Sequence, residues 1–235
     1  MSEWASKRFW STVSVEAGPE GFSIRLDGRP VRTPAKRTLV LPTQAVARHV
    51  AAEWEAQEER VDPATMPWTR SANAAIDKVA AQRREVTDHL AGYVGTDLLS
   101  YRAAEPVELV LRQQETWDPL LDWLASRHGV RLEVTQGVMP VEQDPACVSR
   151  LVRGMEPMSV FQLTGFHDLV TLSGSFVIAL AVADEAFPVQ DLWLASRLDE
   201  SWQVEQWGED VEATEEAARK MRAFLHAAVL FRLAG

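Results

Sequence analysis

The spacing of the apolar residues changes at Pro42, and this change constrains the fold more than any other feature of the sequence. Before Pro42 the apolar residues alternate with polar ones in short runs such as FSIRL at 22–26, and Asp27-Gly28 has the composition of a two-residue hairpin turn. After Pro42 they recur every three to four residues, as on one face of a helix. The sequence therefore predicts an α+β protein in which a small N-terminal β-containing domain is followed by a mainly α-helical C-terminal domain.

The length of the chain and the change of pattern together predict two domains. A chain of 235 residues is long enough for one or two hydrophobic cores. We place an N-terminal domain of sheet and helices at residues 1–105 and a mainly helical domain at residues 106–235. The boundary is expected between residues 100 and 145, a region that also contains the alternating segment VRLEVT at 130–135, which could form a strand.

Capping residues predict where several helices begin. Thr43 can cap a helix that reaches about Arg60, and Ser71 can cap the next helix. The segment at 167–187 is apolar nearly all round, which is typical of a buried helix. Long helices are therefore expected over three stretches of the C-terminal part, namely 167–187, 188–207 and 209–233.

Two aspartates, Asp97 and Asp118, are interpreted as helix caps rather than as catalytic acids. Asp118 precedes Pro119 within a helical pattern, where aspartate can cap and proline suits the first turn. A break or kink is therefore expected near Trp117, because proline disrupts the interior of a helix.

The composition excludes several classes of function. A formal net charge of −10 argues against nucleic-acid binding, which depends on Lys and Arg neutralising phosphates. A single cysteine, Cys147, excludes an intramolecular disulfide and any site with several cysteine ligands. The longest apolar run, FVIALAVA, is too short to span a bilayer, and the N-terminus lacks the apolar region of a secretory signal. We therefore expect a soluble, cytoplasmic protein that does not insert into membranes.

Enzymatic signatures are absent from the sequence. It has neither a phosphate-binding loop, nor a dinucleotide-binding glycine turn, nor a nucleophile elbow. The five histidines are scattered without metal-ligand spacing. We therefore predict no catalytic residues, no cofactor-binding residues and no metal site.

Tryptophan is the unusual residue of this chain, with nine copies, and Trp4 is the first of them. Two of the others lie in the acidic segment SRLDESWQVEQWG at 196–208. If 190–207 is one helix, Leu194, Leu198 and Trp202 lie on one side and Trp193, Val204 and Trp207 on the other. Such a helix is either sandwiched between two layers or presents one apolar face to a partner.

The acids of this segment favour the second alternative. They have no obvious charge partners nearby in sequence, and unpaired carboxylates do not suit the seam of a sandwiched helix. Large aromatic residues are also enriched at protein–protein contacts. We therefore predict a partner-binding site formed by two tryptophans and three acids: Asp199, Glu200, Trp202, Glu205 and Trp207.

Seven motifs in order resemble one protein family over nearly the whole chain. They are RFW (8–10), LDGRPVRTP (26–34), EWEAQ (53–57), MP-x-T-R (66–70), TDLLSYRA (96–103), WDPLLDW (117–123) and SRLDESWQVEQWGED (196–210). Together they resemble the assembly chaperone of the F-type ATP synthase that acts on the alpha subunit. That family occurs in mitochondria and in related bacteria.

The resemblance implies a function and an architecture. It implies a nucleotide-independent chaperone that binds the free alpha subunit, shields the surface that contacts beta, and releases it when beta arrives. It also implies a β-containing N-terminal domain joined to a helical one, and a sensitive acid at Asp199 or Glu200. Met1 almost directly precedes the first motif without an Arg- and Ser-rich transit peptide, so we expect a bacterial member in the cytoplasm, whereas organellar relatives would lie in the mitochondrial matrix. We also expect a monomer.

Two other classes of function stay open on the residues alone. One is a small cytoplasmic enzyme that acts on a cationic substrate in an acidic cleft. The other is a structural adaptor that stays in a permanent complex. An enzyme requires a deep pocket with converging polar groups, whereas a chaperone requires a broad and partly apolar surface.

Overall fold

A computed structural model of the chain describes residues 7–137 and 139–235, so that Trp4 lies outside the described residues. Short strands dominate its first part and helices dominate the rest, which confirms the predicted α+β class. The strands are β1 (Val13–Gly18), β2 (Gly21–Leu26), β3 (Arg29–Pro30), β4 (Val40–Leu41), β5 (Tyr101–Arg102) and β6 (Thr135–Gln136).

The N-terminal strands form an antiparallel sheet around β2. Strand β1 pairs with β2 along its whole length, with Val15 opposite Ile24, and both β3 and β4 also pair with β2. Strands β5 and β6 form a separate parallel pair. Of the predicted strand VRLEVT, only Thr135 lies in a strand, since β6 begins at that residue.

The predicted hairpin at Asp27-Gly28 is confirmed. Both residues have positive φ angles, 47° and 78°, as the tight turns that join twisted antiparallel strands require. The Asp27 carboxylate accepts hydrogen bonds from the backbone N–H groups of Ser11 and Thr12. These bonds favour the charged carboxylate and lower the pKa of Asp27.

The α-helices are α1 (Gln44–Glu55), α2 (Pro67–Ala74), α3 (Arg83–Gly95), α4 (Val107–His128), α5 (Pro145–Arg153), α6 (Val160–Ser173), α7 (Phe176–Ala183), α8 (Val189–Ser196), α9 (Leu198–Trp207) and α10 (Val211–Leu233). Short 3₁₀ turns lie at Pro63–Thr65 and Leu98–Ser100, and a π turn follows α2 at Ala75–Val79.

The prediction for the start of α1 is confirmed, and the prediction for α2 is wrong. The Thr43 hydroxyl accepts a hydrogen bond from the N–H of Val46, which caps α1. Ser71 lies inside α2, because that helix already begins at Pro67. The N–H groups of Trp68 and Thr69 are instead bound by the carboxylate of Glu53 on α1, a cap from a different helix.

The predicted break near Trp117 is also wrong. Helix α4 continues through Pro119, which lies in its interior. Asp118 therefore caps no helix, and its carboxylate lies 2.9 Å from the guanidinium of Arg102 on β5. This ion pair joins residues that are far enough apart in sequence to be missed by local capping rules.

The segment predicted as one helix at 167–187 is two helices. Gly174 has a φ of 72°, a left-handed conformation that ends α6. Ser175 then caps α7 by accepting the N–H of Ile178. Asp97 is confirmed as a cap, because it accepts the N–H of Leu99. The same carboxylate also accepts bonds from the Ser175 hydroxyl at 2.7 Å and the Val177 N–H at 3.0 Å.

Two compact units divide the chain. One contains Met1–Arg83, Met158–Gly165 and Val229–Gly235, and its core includes Trp10, Ile24, Leu39, Leu41, Val50 and Leu230. The other contains Arg84–Pro157 and Phe166–Ala228, and its fully buried side chains include Trp117, Leu124, Phe166, Phe176 and Phe224. The predicted boundary at residue 105 separates domains that are expected to fold independently. The division into compact units does not test independent folding, so this boundary stays a prediction.

Candidate functional site

The predicted site lies on α9, which is a separate helix because Arg197 interrupts the helical structure between α8 and α9. Arg197 has a φ of −109° and a ψ of 14°, and this residue both ends α8 and precedes α9. The predicted single helix over 188–207 is therefore wrong. The two predicted faces do not exist as such, since Leu194 is 59% exposed whereas Trp193 is buried.

The inner side of α9 is fixed to α4 by a buried residue and a hydrogen bond. Leu198 is buried at the start of α9. The side-chain amide of Gln113 on α4 donates a 2.7 Å hydrogen bond to Asp199. Gln113 is itself buried and accepts the N–H of Ala103, so Asp199 is bonded to a side chain that is held on two sides.

Arg112 forms the second link between α4 and α9. Its guanidinium donates a 2.7 Å hydrogen bond to Glu205 and lies over the ring of Trp202, 5.0 Å from the centroid. The bond to Arg112 lowers the pKa of Glu205, since it stabilises the carboxylate. Trp202 is consequently half-buried, and its indole is held by the cation beneath it.

The outer side of α9 carries apolar side chains that are open to solvent. Trp207 is 78% exposed and Val204 is 39% exposed, and Val211, the first residue of α10, is 75% exposed. Glu200 lies on the same side, with its side chain 54% exposed and 3.0 Å from Arg197. We call the side chains of Glu200, Val204, Trp207 and Val211 the outer face.

The structure therefore divides the five predicted site residues into two groups. Asp199, Trp202 and Glu205 are engaged with α4, whereas Glu200 and Trp207 belong to the outer face. The expectation that the acids lack charge partners is wrong. Glu200 pairs with Arg197 and Glu205 pairs with Arg112. Asp199 accepts a hydrogen bond from the neutral amide of Gln113 instead.

Sequence reasoning missed Arg112 and Gln113, which hold the site in place. Arg112 is 93 positions from Glu205, and Gln113 is 86 positions from Asp199. Nothing in the local pattern connects such residues, because only the packing of α4 against α9 brings them together. Val211 was also missed, since it begins α10 and does not belong to the period of α9.

Two cavities flank helix α4 in this unit. One has a volume of about 270 Å³ and is lined by Arg112, Thr116, Asp191, Leu194, Ala195, Leu198 and Ser201. The other has a volume of about 410 Å³, and its charged side chains are already paired, Arg102 with Asp118 and Arg131 with Asp122. Among the described residues no cluster of His, Cys, Asp or Glu could hold a metal ion.

An exposed tryptophan beside exposed valines, bordered by carboxylates, is typical of a protein that binds other proteins. No helix among the described residues has the length and apolarity needed to cross a membrane. The exposed apolar side chains and their acidic border are the features of a protein that binds other proteins.

The chain belongs to the ATP12 chaperone protein family, whose model matches residues 7–125. It is similar to the mitochondrial protein atp12 of Schizosaccharomyces pombe, with 23% identity over 221 residues that cover 89% of this chain and 76% of that one. The structure is similar to that of Atp12 from Paracoccus denitrificans, with 45% sequence identity and a TM-score of 0.95 over 99% of this chain and 100% of that one.

A third relative gives the same result. A protein of Agrobacterium tumefaciens described as a chaperone is 38% identical, with a TM-score of 0.93 over 97% of this chain and 86% of that one. The family consists of assembly chaperones of the ATP synthase rather than enzymes. Membership confirms the chaperone prediction and decides against the alternative of a small enzyme.

Proposed function

We propose that this chain binds the free alpha subunit of the F-type ATP synthase and shields the surface that contacts beta until beta arrives. The observation that carries the proposal is the outer face, with Trp207 78% exposed at its centre. An exposed indole is typical of an interaction site, because its large apolar area is left uncovered in the free protein.

The five predicted residues have two roles in this proposal. Glu200 and Trp207 contact the client directly. Asp199, Trp202 and Glu205 hold α9 on α4 through Gln113 and Arg112, and so position the outer face. A rigid support matters here because ordering a mobile surface on binding costs conformational entropy.

Glu200 is suited to steering a client that carries positive charge. Its ion pair with Arg197 is mostly exposed on the glutamate side, and such pairs contribute little to stability. A cation of the client can therefore take the place of Arg197 at small cost. Charges at the rim of an interface mainly affect the association rate and orientation.

We infer that the protein acts as a monomer without a nucleotide or another cofactor, in the cytoplasm of a bacterium. Relatives from bacteria and from mitochondria both belong to the family. An acidic chain that binds one client needs no second copy to form the outer face, since all of its residues lie within a single stretch of α9 and the residues that follow it.

Replacing Trp207 tests the proposal directly. Trp207→Ser should weaken binding of purified alpha subunit by about tenfold to a hundredfold, the range expected when a central aromatic anchor is lost. Met139→Ser is the matched control, since Met139 is another large apolar side chain that is 71% exposed. Isothermal titration calorimetry would measure both affinities. Equal affinities of the two variants would contradict the placement of the client on the outer face.

A further inference from the structure

We propose that the cavity of about 270 Å³ lined by α4, α8 and α9 receives a lysine or arginine side chain of the bound protein, and that Asp191 binds its cationic end. The proposal rests on the proposed function in one respect: the protein that inserts this side chain is the client, the free alpha subunit. Asp191 lies in the first turn of α8, outside the acidic segment that contains the predicted site residues.

The apolar part of the lining suits the aliphatic stem of a long basic side chain. Leu194 is 59% exposed, and Ala195 and Leu198 next to it are buried. Lysine and arginine commonly pack their methylene groups on such surfaces while the charged end reaches a polar group. The hydroxyl groups of Thr116 and Ser201 add acceptors for the N–H groups of that end.

The balance of charge in the cavity determines the sign of the ligand. Arg112 also lines the cavity, but Glu205 balances its charge at 2.7 Å and its guanidinium lies over Trp202. Asp191, in contrast, is exposed and makes no ion pair with any residue that the structure describes. The uncompensated charge of the lining is therefore negative, and a cation complements it.

A metal ion fits the cavity less well than an organic cation. Hard divalent ions require several oxygen ligands, commonly more than one carboxylate. Asp191 is the one carboxylate in the lining, and no cluster of ligands suited to a metal occurs among the described residues. A single carboxylate next to apolar side chains instead suits a guanidinium or ammonium group on a long aliphatic stem.

The cavity also lies next to the outer face. Leu198 and Ser201 line it from α9, the helix that carries Glu200 and Trp207 on its other side. A client that covers Trp207 can thus insert a neighbouring basic side chain into the cavity. This predicts a client surface on which a lysine or arginine borders an apolar patch.

A short peptide tests the cavity without the client. The probe is an acetylated and amidated peptide, Ala-Ala-Arg-Ala-Ala, and its control replaces arginine by citrulline, which has the same shape without the charge. We expect the arginine peptide to shift the backbone NMR signals of Leu194 and Ser201 and to bind at least about fivefold more tightly than the citrulline peptide. Equal binding of the two peptides, or no shift of these signals, would overturn the proposal.

Two variants identify the carboxylate. Asp191→Asn keeps the shape of the exposed side chain and should reduce binding of the arginine peptide about fivefold to tenfold, with little change of the melting temperature. Asp88→Asn removes the same charge from another exposed helical site, where Asp88 pairs with Arg84, and should leave binding unchanged. If Asp88→Asn weakens binding as much as Asp191→Asn, the effect is one of overall charge and the proposal fails.

The same variants separate this proposal from the proposed function. If wild-type protein binds the alpha subunit and Asp191→Asn binds it equally well, the cavity proposal is wrong and the chaperone function stands. If the alpha subunit does not bind at all while the arginine peptide binds in the cavity, the proposed client is wrong and the chemistry of the cavity stands.

Discussion

At the scale of residues, Arg112 and Gln113 on α4 hold two acids of α9 in place through hydrogen bonds. Gln113 donates to Asp199, and Arg112 donates to Glu205 while it supports Trp202. Glu200 is the acid left on the outer face, beside Arg197. The family resemblance places a sensitive acid at Asp199 or Glu200, and the structure gives these neighbours different physical tasks.

Charge reversal at the two positions should therefore have different effects. Asp199→Lys leaves the buried amide of Gln113 without its acceptor, which should cost roughly 1–3 kcal/mol of unfolding free energy. Glu200→Lys changes an exposed side chain and should leave the free energy of unfolding within about 0.5 kcal/mol.

Urea unfolding and titration of the alpha subunit would be measured on both variants. We expect Glu200→Lys to weaken binding of a cationic client surface, mainly through a slower association rate. Loss of stability in Glu200→Lys, or an unaffected association rate, would contradict the assignment of Glu200 to the outer face.

At the scale of elements, local sequence patterns predicted a turn and a helix start correctly but did not predict where long helices are interrupted. The Asp27-Gly28 turn and the Thr43 cap depend on residues within three positions of each other, and both were predicted. The breaks at Gly174 and Arg197 were not predicted. Both lie within continuous helical patterns, and the bonds from Asp97 that stabilise the start of α7 come from a residue 78 or more positions away.

Asp97 connects two elements through one buried carboxylate. It caps the 3₁₀ turn at Leu98–Ser100 and also binds the first turn of α7. Burial disfavours its charged form and raises the pKa of Asp97 from 3.8 to about 6, although the hydrogen bonds that it accepts oppose this shift. At pH values between these two pKa values, the folded protein therefore keeps a proton on Asp97 that the unfolded chain has already lost.

The stability contributed by protonated Asp97 should therefore fall as the pH rises. It is fully present below about pH 4 and is lost as the pH passes through about 6, a change of roughly 3 kcal/mol at 1.36 kcal/mol per pKa unit. Asp27 and Glu205 shift in the opposite direction, so the comparison must be made with Asp97→Asn. Urea unfolding of both proteins between about pH 4 and pH 7 would measure the difference, and parallel stability curves would contradict the prediction.

At the scale of the whole molecule, charge and exposed apolar area point to one kind of partner. The chain carries a formal net charge of −10, and eleven acids against three bases fall between Asp184 and Lys220. The outer face lies within this acidic stretch. Its apolar side chains offer contact area, and the surrounding acids favour a client with basic residues at the edge of its own apolar surface.

A client-specific chaperone must also release what it binds. A permanent adaptor would stay with the assembled enzyme, whereas a chaperone that covers the beta-contacting surface must leave when beta binds. Competition between this chain and beta for the same surface of alpha is therefore the property that separates the two classes.

The most direct measurement is size-exclusion chromatography of the purified chain with free alpha subunit, before and after the addition of beta. We expect a complex of this chain with alpha that disappears when beta is added, as alpha and beta associate and the chain elutes alone. A chain that never binds alpha, or that elutes together with the assembled alpha and beta subunits, would contradict the account.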